Sequence, residues 1–93
     1  MTENTQPIDL LDMDIESILS FFIGLTSTKA LEYLGVSVKE DKEAEKDLEK
    51  ARLSIDVTSF LADKLAPFMD DEEQKQLKQI VSNLQYAFIQ ESS

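Results

Sequence analysis

The 93-residue chain contains no cysteine and no histidine. Without cysteine there is no disulfide framework and no thiol nucleophile, a composition that fits a reducing, cytoplasmic setting. Without histidine, the commonest general acid–base group and the commonest transition-metal ligand are both missing. Glycine and proline occur only twice each, which leaves few breaks and suits long helices. Positive charge is also scarce: nine basic residues face nineteen acidic ones, for a formal net charge of −10. Binding to a nucleic-acid duplex or an anionic bilayer depends on Lys and Arg neutralising phosphates. Nucleic acid is therefore not expected as a partner, while basic proteins or segments remain open. No uncharged stretch is longer than Ser17 to Thr28, which falls short of the roughly 20 residues that a bilayer span needs. Met1 to Pro7 has neither a basic nor an apolar stretch, so no secretory signal is expected.

What is present is a globular composition, 42% hydrophobic and 30% charged. The length allows one domain with a modest core, and oligomerisation commonly supplements such a core. Residues 1–13 read as a flexible acidic tail and residues 14–91 as a helical domain. The expected fold is all-α, three helices, assembling as a homodimer into a larger helical bundle.

The first helix is expected to start with Asp14 as N-cap, with Met13 and Ile18 placed for a hydrophobic staple. It should end at Leu34, with Gly35 in the left-handed position and Val36 meeting Leu31. Ile15, Leu19, Phe22 and the Leu25 region are expected to face the other two helices. Ser37 to Asp47 is highly charged, and Ser37 with Glu40 resembles a capping box. The second helix is firm from about Leu48 to Ala66. Ala51, Ile55, Thr58, Ala62 and Leu65 fall on one face, and Leu53, Val57, Phe60 and Leu61 are expected to widen it. Pro67 disfavours helical backbone at Ala66 and should end the element. The third helix is expected to open with Asp70 as N-cap and Glu73 completing the box. Leu77, Val81, Leu84 and Phe88 follow in one stripe, broadened by Ile80 and Ala87, and Glu91 to Ser93 should fray.

No catalytic, cofactor or metal site emerges. The acidic run Asp70–Glu73 complements the positive end of a helix dipole, and it lacks the alternating ligands and glycine turn of a calcium loop. Asp56, between two apolar residues, reads as the partner of Arg52 four residues earlier on a helix surface. Ser17, Ser20, Ser27, Ser54 and Ser59 have no histidine to activate them and no nucleophile elbow around them. No glycine-rich phosphate loop occurs.

The informative segment is Ile18 to Leu25, whose apolar side chains point in several directions. Surplus apolar surface on a small helical domain implies a partner. Ser20, Gly24 and Thr28 recur at four-residue spacing, and small residues in such a row let another helix approach closely. Ile18, Ser20, Phe21, Gly24, Leu25 and Thr28 are therefore the candidate interface.

Several short stretches resemble a bacterial family of short helical proteins, domain-of-unknown-function family 1844, over roughly Ser17 to Gln90. They are Leu34-Gly35 closing the first helix and Leu48-Glu49-Lys50-Ala51-Arg52 opening the second. Ile55-Asp56 follows, then Leu61 and Lys64 at the family's spacing, with Leu77, Leu84 and Phe88 in register. Asp70 replaces the family's capping threonine. The family's Lys-Thr-Lys-Gly-Asn turn is replaced by Lys64-Leu65-Ala66-Pro67-Phe68, and its arginine-rich final helix by Gln85-Tyr86-Ala87. The resemblance implies a helical fold and carries no activity with it.

The functional expectation is a non-catalytic helical interaction or oligomerisation module that needs no cofactor. The alternative is a peripheral membrane or lipid-binding protein using Phe21, Phe22 and Ile23 on the apolar face of the first helix. Against the alternative stands the absence of Lys and Arg before Lys29, since interfacial helices usually carry basic residues on the polar face. An enzyme working with carboxylates alone would need a concave pocket lined by two or more acidic side chains.

Overall fold

The computed structural model describes residues 10–36 and 46–92. Three α-helices make up most of it: α1 (Ile15–Tyr33), α2 (Leu48–Leu65) and α3 (Asp71–Ser92). Two short 3-10 turns, Leu10–Asp12 and Ala66–Phe68, precede α1 and join α2 to α3. Among the described residues there is no strand, so the domain is all-α with three helices. The box proposed at Ser37 and Glu40 lies outside the described residues.

Each helix starts where a carboxylate caps it. The Ser17 N–H donates to the Asp14 carboxylate at 2.9 Å, and the Lys50 N–H donates to Asp47 at 3.1 Å. At α3 the box is reciprocal: the Glu73 N–H donates to Asp70 at 2.8 Å and the Asp70 N–H donates to Glu73 at 3.1 Å. These bonds satisfy N–H groups that have no partner inside the helix. The end of α1 follows from Gly35, at φ 93°. Its N–H donates to Glu32 C=O at 3.0 Å, and the Val36 N–H donates to Leu31 C=O at 2.9 Å. This paired closure takes up two otherwise orphaned carbonyls. The Asp47 N–H then donates to Tyr33 C=O at 2.8 Å, tying the start of α2 to the end of α1.

Pro67 does not drive Ala66 out of helical backbone, contrary to the sequence expectation. Ala66 keeps φ −51° and ψ −42°, and the chain tightens into a 3-10 turn before breaking at Met69, ψ 154°. Proline near the start of a short helical turn gives up an N–H that would have gone unbonded there. The Gln74 amide closes the joint, donating to Ala66 C=O at 2.8 Å and Met69 C=O at 3.1 Å. Helix α3 continues through Glu91, where Lys46 pairs with its carboxylate at 2.9 Å.

Helix α1 packs chiefly on α2, and α3 lies mainly along α2 with little contact to α1. Two apolar clusters form the core. One gathers Ala30, Leu34, Ala51, Ile55 and Leu84; the other gathers Ile23, Ala62 and Leu65, with Leu19, Leu77 and Val81 packed against it. The buried residues of α2 are Ala51, Ile55, Thr58, Ala62 and Leu65, the face its spacing foretold. Leu53, Val57 and Phe60 do not widen that face and are exposed instead. They are offset by two positions from Ala51, Ile55 and Thr58, about 200° round the helix, so they form a second stripe on its far side. Ile80 is likewise exposed and does not broaden the stripe of α3.

In α1, Ile15, Phe22 and Leu25 are not buried against the other helices; all three are exposed. Ile23, Ala30 and Leu34 take the contact instead. Ala30 and Ala51 are both fully buried in one cluster, and side chains this small let two helices approach closely.

Candidate functional site

The exposed part of α1 begins beside its buried face. Of the six candidate interface residues, Ser20, Phe21, Gly24, Leu25 and Thr28 are exposed and Ile18 is half-buried. The structure thus places them together along the outer part of one helix. Among the described residues, and apart from its own helix backbone, a Cβ built at Gly24 would meet no atom within 4 Å. The Thr28 and Ser27 hydroxyls both donate to Gly24 C=O, at 2.8 and 3.0 Å. Their donors are thereby satisfied within the helix, which lowers the cost of covering this strip with an apolar surface. The Phe21 and Phe22 rings sit 6.0 Å apart at a tilt of 48°. Ile23, placed with them in the lipid-binding alternative, is 4% exposed and belongs to the core.

A second exposed apolar region was missed as such from the sequence. Leu53 and Phe60 on α2 are 62% and 59% exposed, with Val57 between them. A groove of about 350 Å³ runs between the two helices beside this stripe, lined by Leu25, Thr26 and Tyr33 of α1 and by Leu53 and Ser54 of α2. Lys29 and Lys50 stand at the same groove, with their ammonium groups 5.0 and 5.8 Å from the centre of the Tyr33 ring. Lys64 sits 5.4 Å from the Phe60 ring. The Glu32 carboxylate, bonded to Lys29 at 2.9 Å, holds that ammonium's pKa above the ordinary lysine value.

The Arg52 and Asp56 side chains face each other at 3.9 Å, 71% and 69% exposed, in keeping with a helix-surface pair. Ser54 donates to Lys50 C=O at 2.8 Å. Among the described residues no group of three or more acidic side chains is placed to hold a metal ion. Asp14 has a pKa below its ordinary value because the Ser17 side chain and then the Ser17 N–H favour its carboxylate, a consequence of capping. No described helix is long and apolar enough to cross a membrane.

The fold and its surface define a three-helix domain with exposed apolar side chains on α1 and α2. Residues 16–90 match the family described as a domain of unknown function, DUF1844. The chain belongs to that family. No curated protein and no solved structure matches it.

Proposed function

We propose that the protein is a non-catalytic helical interaction module that self-associates through the outer side of α1, with Gly24 at the closest approach. The observation that carries this reading is the pairing of Phe21, 47% exposed, with a glycine that the chain's own packing does not require. Burying one aromatic side chain contributes on the order of 1.5–3 kcal/mol, and a two-fold contact gains it twice. The strip Ser20, Gly24 and Thr28 gives a second copy room to bring its own α1 close. Small domains with limited cores commonly gain stability this way.

Light scattering coupled to size exclusion tests the reading. The wild type is expected to be a dimer or small oligomer. Gly24→Leu should weaken it without lowering helix content, because the added side chain separates the helices across the contact. A wild type that is monomeric across the accessible concentration range refutes self-association. An oligomer that Gly24→Leu leaves untouched moves the contact elsewhere, most directly to Tyr86 and Ile89, which are exposed on α3.

A further inference from the structure

We infer that the groove between α1 and α2 is a docking site for an acidic amphipathic helix supplied by another protein. The groove lies on the side of α2 that α3 leaves open. Helix α3 runs beside Arg52, Asp56, Ser59 and Asp63 of α2, where its Gln85, Phe88, Leu77 and Val81 line the shared clefts. Lys50, Leu53, Val57, Phe60 and Lys64 recur at spacings of three and four residues on the other side. That row has the spacing of a continuous helix face, and no neighbouring helix covers its apolar members.

Charge selects the occupant. The chain carries −10 overall, yet the row from Lys50 to Lys64 holds two lysines and no acidic residue; Lys29, across the groove, is already paired with Glu32. Lys50 and Lys64 make no ion pair with a described carboxylate; each lies instead against an aromatic ring. The groove covers the Lys50–Ser54 end of the row, and Val57, Phe60 and Lys64 continue the row along the exposed side of α2, so the row has an apolar middle and an ammonium at either end. Fourteen residues separate Lys50 from Lys64, about 21 Å along the helix axis, close to the length of a four-turn helix. A helix with apolar residues at i, i+3/i+4 and i+7 would seat them against Leu25, Leu53 and Val57. Carboxylates flanking those anchors would meet the lysines. A second copy bound by the same face would bring lysines against lysines. The surrounding negative field repels anionic lipid.

The inference rests on reading the protein as an interaction module; its groove shares Leu25 with the strip around Gly24 but is otherwise formed by Thr26, Lys29 and Tyr33 of α1 and by Lys50, Leu53 and Ser54 of α2. The test uses two synthetic helical peptides with one shared leucine pattern, one carrying Glu at every flanking position and the other Lys. Fluorescence anisotropy of each with the full chain at 0.15 M salt is the readout. The Debye length there is about 8 Å, so charges in the groove outweigh the more distant acidic surface. The acidic peptide should bind at least tenfold tighter than the basic one, and more weakly as salt rises. Leu53→Glu and Phe60→Glu replace exposed side chains, so helix content by circular dichroism should stay unchanged while binding falls at least tenfold. Lys50→Glu with Lys64→Glu should weaken the acidic peptide and favour the basic one. Gly24→Leu should leave peptide binding unaltered.

Equal or tighter binding of the basic peptide overturns the proposal, as does failure of both peptides to bind or indifference to Leu53→Glu. Loss of self-association in Leu53→Glu assigns the groove to a second copy and also overturns it. So does flotation with phosphatidylglycerol vesicles that Leu53→Glu abolishes. If the peptides fail while Gly24→Leu still dissociates a wild-type oligomer, only the docking proposal falls. If the wild type is monomeric and the acidic peptide binds, only the self-association reading falls.

Discussion

The Thr26 and Thr58 hydroxyl oxygens lie 2.7 Å apart at the middle of the α1–α2 contact. Thr58 is fully buried; its hydroxyl also reaches Ser54 C=O at 2.8 Å, as that of Thr26 reaches Ile23 C=O at 3.3 Å, so either hydroxyl can donate to the other. The pair sits between the apolar clusters: Ile23 and Ala30 flank Thr26 along α1, as Ile55 and Ala62 flank Thr58 along α2. A polar contact at this point helps to hold the register of two helices whose neighbouring core contacts are apolar and non-directional.

A double-mutant cycle measures that contact. Thr58→Val keeps the shape and leaves Thr26 with only the longer 3.3 Å bond to Ile23 C=O. The expected cost is about 1 kcal/mol, the usual net value of such a bond. Adding Thr26→Val should then cost less than it does alone, because its partner is already gone. Strict additivity in urea unfolding would mean that the hydroxyls do not act together.

The reciprocal box at α3 predicts graded losses. Asp70→Ala should destabilise the domain by about 1 kcal/mol, a fall of roughly 4–8 °C in melting temperature for a domain of this size. Asp70→Asn should cost less, since the amide oxygen still accepts the Glu73 N–H but loses the charge that favours the helix N-terminus. Glu73→Ala removes only the return bond to the Asp70 N–H and should also cost less than Asp70→Ala. Thermal unfolding of the three variants gives the order, and an unchanged Asp70→Ala would place the start of α3 elsewhere.

The cap at α1 makes a pH prediction. Bonding from Ser17 lowers the Asp14 pKa in the folded chain. A carboxylate with a depressed folded pKa contributes stability that is fully present above its unfolded pKa and is lost as pH falls through the folded value. The Asp14 contribution should therefore be constant at neutral pH and fade on acidification below about pH 4. Asp14→Asn, which keeps an acceptor but cannot titrate, should have a flatter stability profile in that range. Parallel profiles for variant and wild type between pH 6 and pH 2 would contradict it.

Much of this architecture is legible in the sequence because α2 and α3 are amphipathic. The five buried residues of α2 repeat at helical spacing among polar neighbours, and both Asp70 and Gly35 carry strong local signals. Helix α1 is different. Ile18, Leu19, Phe21, Phe22, Ile23 and Leu25 surround it with apolar side chains, so periodicity cannot set its phase. The better signal is Ala30, whose small side chain shares a cluster with Ala51 where the helices close on each other. The groove was hidden for a related reason. Leu53, Val57 and Phe60 keep helical spacing among themselves, and a second stripe is easily taken for the edge of the first. Asp47 was overlooked as a cap because Ser37 and Glu40 offered a better-matched pattern upstream.

The two glycines should respond in opposite directions to the same substitution. Gly24 lies inside α1, with open space where a Cβ would stand and no left-handed backbone. Gly24→Ala should stabilise the helix by up to about 1 kcal/mol, through the lower backbone entropy that alanine loses on folding. Gly35 is held at φ 93° by the closure of α1. A Cβ there would meet the aliphatic part of Lys46 at 3.8–3.9 Å, an ordinary contact, so crowding is not the difficulty. The cost is conformational: an L-residue in the left-handed region is disfavoured by roughly 1–2 kcal/mol. Leaving that region would break the bonds to Glu32 and Leu31. Gly35→Ala should therefore destabilise by about 1–2 kcal/mol, and Gly35→Asn by less, because asparagine tolerates this backbone better. Unfolding curves at low protein concentration, where association contributes least, decide the matter. If both alanine variants shift stability in the same direction, the conformational roles assigned to these two glycines are wrong.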